Sequence, residues 1–368
     1  PILAEPDGAW QSAKRWVGRH RAATLALLLS AVLAIVLTLG LATAATGSVV
    51  GLVWWRASVH QEALTAVVAS VSSHARRIDA SFQGYQGLLT GLAFAAETGL
   101  RDHPPTDVVV VHPDELVPAG AAVVAPGYDG TEISTRHAVV WPSPGVDAEA
   151  TEEPARQLAA LQPELMRVVY GSAPTDLPTE AARAARVIET GLPVVWAYVV
   201  HRDGLMVVWP GAPDYPADYE PRAQEWYAAA QGRRRPQWDP ASRDPSDTED
   251  VGLLVTASVG IWDGDEQMGV AALDVSIDHV LDELLAPPGV EGDVDTWLVD
   301  DTGRTIATSV ARDAEPPPFP YPDVLAAVRS GREAGTHERG AQVIAWARLD
   351  ALRWTYIVIG PLKTLSGG

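Results

Sequence analysis

The chain has 368 residues, a formal net charge of −20 and an apolar fraction of 47%. That size and composition suit about two to three domains with a real core and exclude wholesale disorder. The charge argues against nucleic acid as a partner, since phosphate binding needs basic patches, and the absence of cysteine excludes disulfides, iron–sulfur clusters and thiolate zinc sites.

Pro1 and the closing Ser366-Gly-Gly368 read as the limits of a piece cut from a longer protein. Residues 1–21 show no hydrophobic period and read as a juxtamembrane segment, with Lys14, Arg15, Arg19, His20 and Arg21 clustered at its end. From Ala22 to Trp55 no side chain is charged. A spanning helix needs about 20 apolar residues at about 1.5 Å each, so residues 22–45 are read as a transmembrane helix. Trp54 and Trp55 suit the interfacial belt, and the basic flank places residues 1–21 in the cytoplasm and everything after Trp55 outside it. A signal-peptide core is shorter than this run, and a soluble core helix rarely stays apolar on every face for so long.

Residues 46–100 read as an extracytoplasmic stalk helix. Val67, Val71, Ala75, Ile78, Phe82, Tyr85, Leu89 and Leu92 recur at three-to-four spacing and form one apolar stripe, interrupted in propensity by Gly84, Gly87 and Gly91. One face then packs on its own domain and another suits a second copy, which makes a homodimer through this helix the expected assembly.

Residues 104–180 carry weaker signals. Val108–Val111, Val123–Val124 and Ala138–Trp141 read as strands, and Glu152–Val169 and Ala181–Glu189 as helices. From Pro193 the β pattern is strong. Val194–Val200 and Leu205–Trp209 flank the turn His201-Arg-Asp-Gly204 as a hairpin, because Asp-Gly tolerates positive φ. The segment Tyr215–Tyr227 follows, with four aromatic rings, an arginine and several carboxylates, the composition of a small pocket wall. Pro221–Ala230 reads as a short helix carrying Trp226 and Tyr227. Gly252–Trp262 and Met268–Ser276 read as strands, and Ile277–Leu285 as a helix. A smaller unit repeats the plan: a hairpin at Thr296–Asp300 and Thr305–Thr308, a helix at Val324–Arg329, and strands at Gln342–Ala347 and Trp354–Ile359. The fold class is therefore α+β, antiparallel sheets with helices. Residues 363–368 read as a tail cut before a second span.

No metalloprotease helix, nucleophile elbow, phosphate loop or dinucleotide fingerprint is present, so no enzyme activity or cofactor is assigned to this segment. Asp239, Asp244, Asp247, Glu249 and Asp250 form an acidic cluster whose spacing matches no EF-hand loop, and it reads as a solvated loop.

In order and spacing, Tyr219-Glu-Pro-Arg222-Ala-Gln-Glu-Trp226-Tyr227, then Trp238-Asp-Pro240 with Asp244, then Gly269-Val-Ala-Ala-Leu-Asp274 resembles the double Cache (dCache) extracytoplasmic sensor domain of bacterial transmembrane receptors. Trp297-Leu-Val-Asp-Asp-Thr-Gly-Arg304 is similar to the hairpin opening that family's second lobe. The resemblance implies a long N-terminal helix and two stacked, PAS-like sheet lobes. Residues 101–286 would be the membrane-distal lobe with the ligand pocket, and residues 287–362 the membrane-proximal lobe. It also implies ligand-binding positions at Tyr219, Arg222, Gln224, Trp226, Tyr227, Ser242, Asp244 and Asp274, with Asp274 holding a ligand ammonium. Two positions depart from the family pattern. The second arginine of the motif is Gln224, and the tyrosine two residues before Asp244 is Ser242. Glutamine cannot make the bidentate charge-assisted pair that arginine makes with a carboxylate, so a cationic or neutral amine fits better than a standard α-amino acid. Arg222 reads as an ion-pair partner that holds its loop. The expected function is small-molecule sensing for a cytoplasmic output domain of kinase or chemoreceptor type, upstream or downstream. The alternative is a non-sensing structural or protein-interaction ectodomain.

Overall fold

The computed structural model describes residues 8–101, 107–116, 120–147, 151–174, 177–212, 215–216, 218–239, 242–243, 253–285, 290, 294–311 and 316–366. Pro1–Thr65 and Ala66–Gly368 form two units. The chain is α+β: a long N-terminal helix followed by antiparallel sheets in two lobes.

In the first unit, residues expected to be an aperiodic linker form the helix Ala9–Arg19, rich in the helix formers Ala, Gln, Lys and Arg. The next helix, Arg21–Gly99, is continuous through both stretches that the sequence separates into span and stalk. It is long and apolar enough to cross a membrane, and none of its most apolar window is buried. In this helix the hydroxyls of Thr38, Thr43 and Thr46 donate to the carbonyls of Ala34, Leu39 and Ala42 at 2.9, 3.0 and 2.8 Å. These three hydroxyls are thus satisfied by the helix's own backbone.

In the second unit the same helix supplies a buried stripe of Val67, Val71, Ala75, Ile78, Phe82, Leu89, Leu92 and Ala96. Gly84, Gly87 and Gly91 lie in open space and leave the helix unbroken. Both sheets grip this stripe. Glu97 Oε1 accepts the Trp262 N–H at 3.2 Å and Arg101 pairs with Asp263 at 2.8 Å. Further along the helix, Asp79 Oδ1 accepts the Ala351 N–H at 2.8 Å, and His74 lies against Tyr356 with ring centroids 5.2 Å apart.

The larger sheet has the order Val139–Pro142, Leu205–Trp209, Val194–His201, Glu266–Ser276, Leu253–Asp263, Gln237–Trp238, with Ser242–Arg243 also paired to Leu253–Asp263. All its pairings are antiparallel. Val108–Val111, expected as a strand, is not one. Its β-branched run meets the edge strand through a single bond, Val140 N–H to the Val111 carbonyl at 2.9 Å, too little for a ladder. The helix expected at Glu152–Val169 is two, Glu152–Ala159 and Gln162–Gly171, because Pro163 lacks the N–H that would carry one ladder through. Ile277–Leu285 begins as one α-helical turn, capped where Ser276 Oγ accepts the His279 N–H, and continues as a π-helical turn.

The smaller sheet has the order Thr305–Thr308, Asp295–Val299, Trp354–Pro361, Gln342–Leu349, Ala334–Arg339. Its last strand has no apolar alternation, and its charged end suits an exposed edge. Gly335 is required there, since a Cβ would lie 2.5 Å from the Trp346 ring. Trp297, Val299, Phe319, Val324, Ile344, Trp346, Ile357 and Ile359 fill the interior of this lobe, with Trp297 and Phe319 edge-on at 5.3 Å.

Candidate functional site

Register decides which side chains share a face of the larger sheet. Residues directly opposite in an antiparallel pair point the same way, and the period is two. Trp196 and Thr256 both lie opposite Asp274. Tyr198, Ala272 and Ser258 therefore join them on one face. The other face carries Ala257 and its partner Trp238, and Trp238 meets Phe82 of the long helix. Asp274 thus belongs to the face turned away from that helix.

Asp274 is 7% exposed, in the middle of the sheet. A buried carboxylate is costly unless donors surround it. Its Oδ1 accepts the Thr256 hydroxyl at 2.6 Å and the Tyr198 hydroxyl at 3.0 Å. Burial first, and then the charge on Asp274 with Tyr219 and Tyr215 nearby, pushes the Tyr198 hydroxyl well above the usual tyrosine range. It therefore stays a proton donor at any physiological pH. Tyr198 meets Trp226 edge-on at 5.1 Å, and Trp226 meets Tyr227 at 5.8 Å. The short helix Glu225–Ala230 that carries both rings is tied to the sheet where Ser258 Oγ donates to the Trp226 carbonyl at 2.7 Å.

Tyr219 stacks on Tyr215 with centroids 4.9 Å apart, and Tyr215 is edge-on to Trp141 at 4.8 Å. A small cavity of about 50 Å³ lies beside Tyr219, Trp141 and Met206. Glu220 organises the next turn. Its Oε1 accepts from the Arg222 backbone N–H at 3.0 Å, from Arg222 Nε at 2.8 Å and from the Ser143 hydroxyl at 3.2 Å, while Oε2 accepts from Arg222 Nη2 at 2.7 Å. The remaining guanidinium nitrogen donates to the Arg202 carbonyl at 3.0 Å. Gly204, at φ +91° in the hairpin turn, leaves room for it, since a Cβ would come within 3.0 Å of the guanidinium carbon. The forked bond from Arg222 holds the Glu220 carboxyl below the usual range, and Glu220 in turn raises Arg222.

The site residues expected from sequence fall into three groups. Asp274, Trp226 and Tyr227 come together with Tyr198, and Tyr219 approaches from the aromatic stack. Arg222 makes the expected ion pair, with Glu220, and Gln224 turns back so that its Nε2 donates to the Glu220 carbonyl at 3.2 Å. Ser242 has its backbone in the two-residue strand Ser242–Arg243, and Asp244 lies outside the described residues, as do Asp247, Glu249 and Asp250. Sequence reading missed Tyr198, Thr256, Ser258 and Glu220. The strand period of two puts Trp196 and Tyr198 on one face, but only long-range register sets that face over Asp274. Among the described residues, no group of three or more His, Cys, Asp or Glu side chains is placed to hold a metal ion.

No protein-family model matches the chain, and no curated protein matches it. Among solved structures it is similar to the ligand-binding domain of the Campylobacter jejuni chemoreceptor Tlp3 in complex with L-norvaline, at 12% identity over 84% of this chain and 94% of that one, with a TM-score of 0.46. It is also similar to the ligand-binding domain of the Pseudomonas aeruginosa PAO1 amino acid chemoreceptor PctB in complex with L-Arg, at 19% identity over 46% and 71% of the two chains, TM-score 0.33. A third is the ligand-binding domain of the Pseudomonas fluorescens chemoreceptor CtaA in complex with L-alanine, at 12% identity over 55% and 82%, TM-score 0.35. All three neighbours are ligand-binding domains of chemoreceptors.

Proposed function

We propose that this chain is the extracytoplasmic small-molecule sensing input of a membrane signalling receptor, and that its ligand presents an amine or other cationic group to Asp274. The observation that carries this reading is the buried Asp274 carboxylate, set among Tyr198, Thr256 and Trp226 beneath the Tyr215–Tyr227 segment. Aromatic faces and a buried carboxylate both favour a cation. Arg222 and Gln224 have their polar ends on Glu220 and the hairpin turn, which leaves a ligand carboxylate without the usual arginine.

The apolar helix crosses the lipid bilayer with residues 1–21 in the cytoplasm, by the charge asymmetry of its flanks. Residues 101–286 act as the membrane-distal lobe and 287–362 as the membrane-proximal one, and two copies pair through the stalk helix. Ligand binding shifts the helix and the membrane segments by its differential affinity for two states, and an output domain of kinase or chemoreceptor type responds.

A second reading, a structural or protein-interaction ectodomain, is favoured by one feature: Asp274 and Arg222 already have donors and acceptors within the fold. Thermal unfolding of the full chain in nanodiscs, against amines, amino acids, carboxylates and divalent metals, separates the two. A ligand of the native state raises the midpoint. The sensor reading expects an amine that does so and that Asp274→Asn abolishes. A panel silent over a wide chemical range returns the structural reading.

A further inference from the structure

A cavity of about 820 Å³ lies apart from Asp274, at the edge of the larger sheet, between strand Val139–Pro142, helix Glu152–Ala159 and the Val108–Glu115 segment. The segment is held there by the Val140 N–H bond to Val111 and by His112 Nδ1, which donates to the Val140 carbonyl at 3.2 Å. The two walls differ in chemistry. Leu205 and Ala155, both buried, line it together with Val108 and Val110. Asp114, Glu115 and Glu152, all exposed, bring three carboxylates against the single guanidinium of Arg156, which has a partner of its own. Glu115 is partly committed, since its Oε2 accepts the His112 N–H at 2.9 Å. Trp141 also lines the cavity, held in place by Nε1 donating to the Ala212 carbonyl at 3.3 Å and by Tyr215 against its ring.

We infer that this cavity is a second ligand site, separate from Asp274, and that it takes an amphipathic ammonium: an apolar body on Leu205 and Ala155, its cationic end toward Asp114 and Glu152. The volume suits a small organic molecule. An apolar interior sheds water at a gain proportional to the area covered. The carboxylate rim and the indole select a cation over a neutral or anionic molecule of the same shape. The acidic rim alone would be ordinary surface; the apolar cavity beneath it is what makes it a site.

The test uses the full chain in nanodiscs and three probes of one shape: phenethylamine, phenethyl alcohol and phenylacetate, titrated by calorimetry. Saturable phenethylamine binding is expected, weaker for the alcohol and absent for the acid. Asp114→Asn with Glu152→Gln is expected to weaken the amine by roughly tenfold, since exposed rim charges are each worth a few-fold. Ala155→Leu is expected to block it by filling the cavity. Binding is expected to survive Asp274→Asn, which separates this site from the sensing reading above. The inference is overturned if the amine shows no saturable binding, if the alcohol binds as tightly, if the neutralised rim changes nothing, or if Asp274→Asn removes the binding. The rim variant alters only exposed side chains, so the test stands even if Ala155→Leu fails to fold.

Discussion

The ring of Phe82 meets the ring of Trp238 edge-on, with centroids 5.1 Å apart, and the same Phe82 meets Trp354 of the smaller sheet at 5.8 Å. One side chain of the long helix therefore touches both lobes. Next to Trp238, the Asp239 N–H donates to the Thr256 carbonyl at 2.8 Å, and the Thr256 hydroxyl donates to Asp274. Two hydrogen bonds and a ring contact thus separate the candidate site from the helix.

Phe82→Ala removes a fully buried ring from that junction. It is expected to cost roughly 3–5 kcal/mol, and Phe82→Leu distinctly less. Urea unfolding followed by tryptophan fluorescence measures both.

Thr256→Val and Tyr198→Phe each strip a donor from a buried carboxylate. Each is expected to cost about 1.5–3 kcal/mol, Thr256→Val more than Tyr198→Phe because its bond is shorter. The double variant is expected to depart from the sum of the singles, since both donors serve one oxygen. Denaturant midpoints of the three variants test this.

Glu220 and Arg222 are both partly exposed, so their coupling in a double-mutant cycle is expected to be about 1 kcal/mol or less at neutral pH. Arg222→Lys keeps the charge but loses the fork, and is expected to lose most of that coupling. Glu220 is held below the usual range, so its contribution is full above the ordinary glutamate pKa and disappears as pH falls through the lowered value. The same cycle repeated across an acid series reads this directly.

Asp239 has the opposite sign. Burial first, then Glu225, raises its carboxyl above the usual range, partly opposed by Arg304. Its contribution to stability is full below the ordinary aspartate pKa and is lost as pH rises through the raised value. Asp239→Asn is therefore expected to raise the thermal midpoint at neutral pH, with the gain vanishing in acid. Equal gains at both pH values would refute this.

The parts of this fold written in local pattern were legible in the sequence. The long helix showed its period through Ile78, Phe82 and Leu89, and the Val194–Trp209 hairpin showed its two β-branched, apolar runs and its Asp-Gly turn. What depended on distant partners was not legible. Val108–Val111 has strand propensity but finds only one bond at the sheet edge. Ala334–Arg339 lacks apolar alternation and is a strand because Gln342–Leu349 pairs with it. At the site, Asp274 and Trp226 stood out by motif. Tyr198 and Thr256 did not, because their positions follow from a bulge and a register that no short window contains.

The smaller lobe has its interior occupied by Trp297, Phe319 and Trp346. An interior packed to that density is nearly incompressible and has no slack to absorb a displacement. A push delivered at Asp79 or Phe82 cannot be spent on rearranging such a core. On the sensing function proposed above, it would leave the lobe as it entered, as movement of a solid body, and this smaller lobe would act as a lever arm.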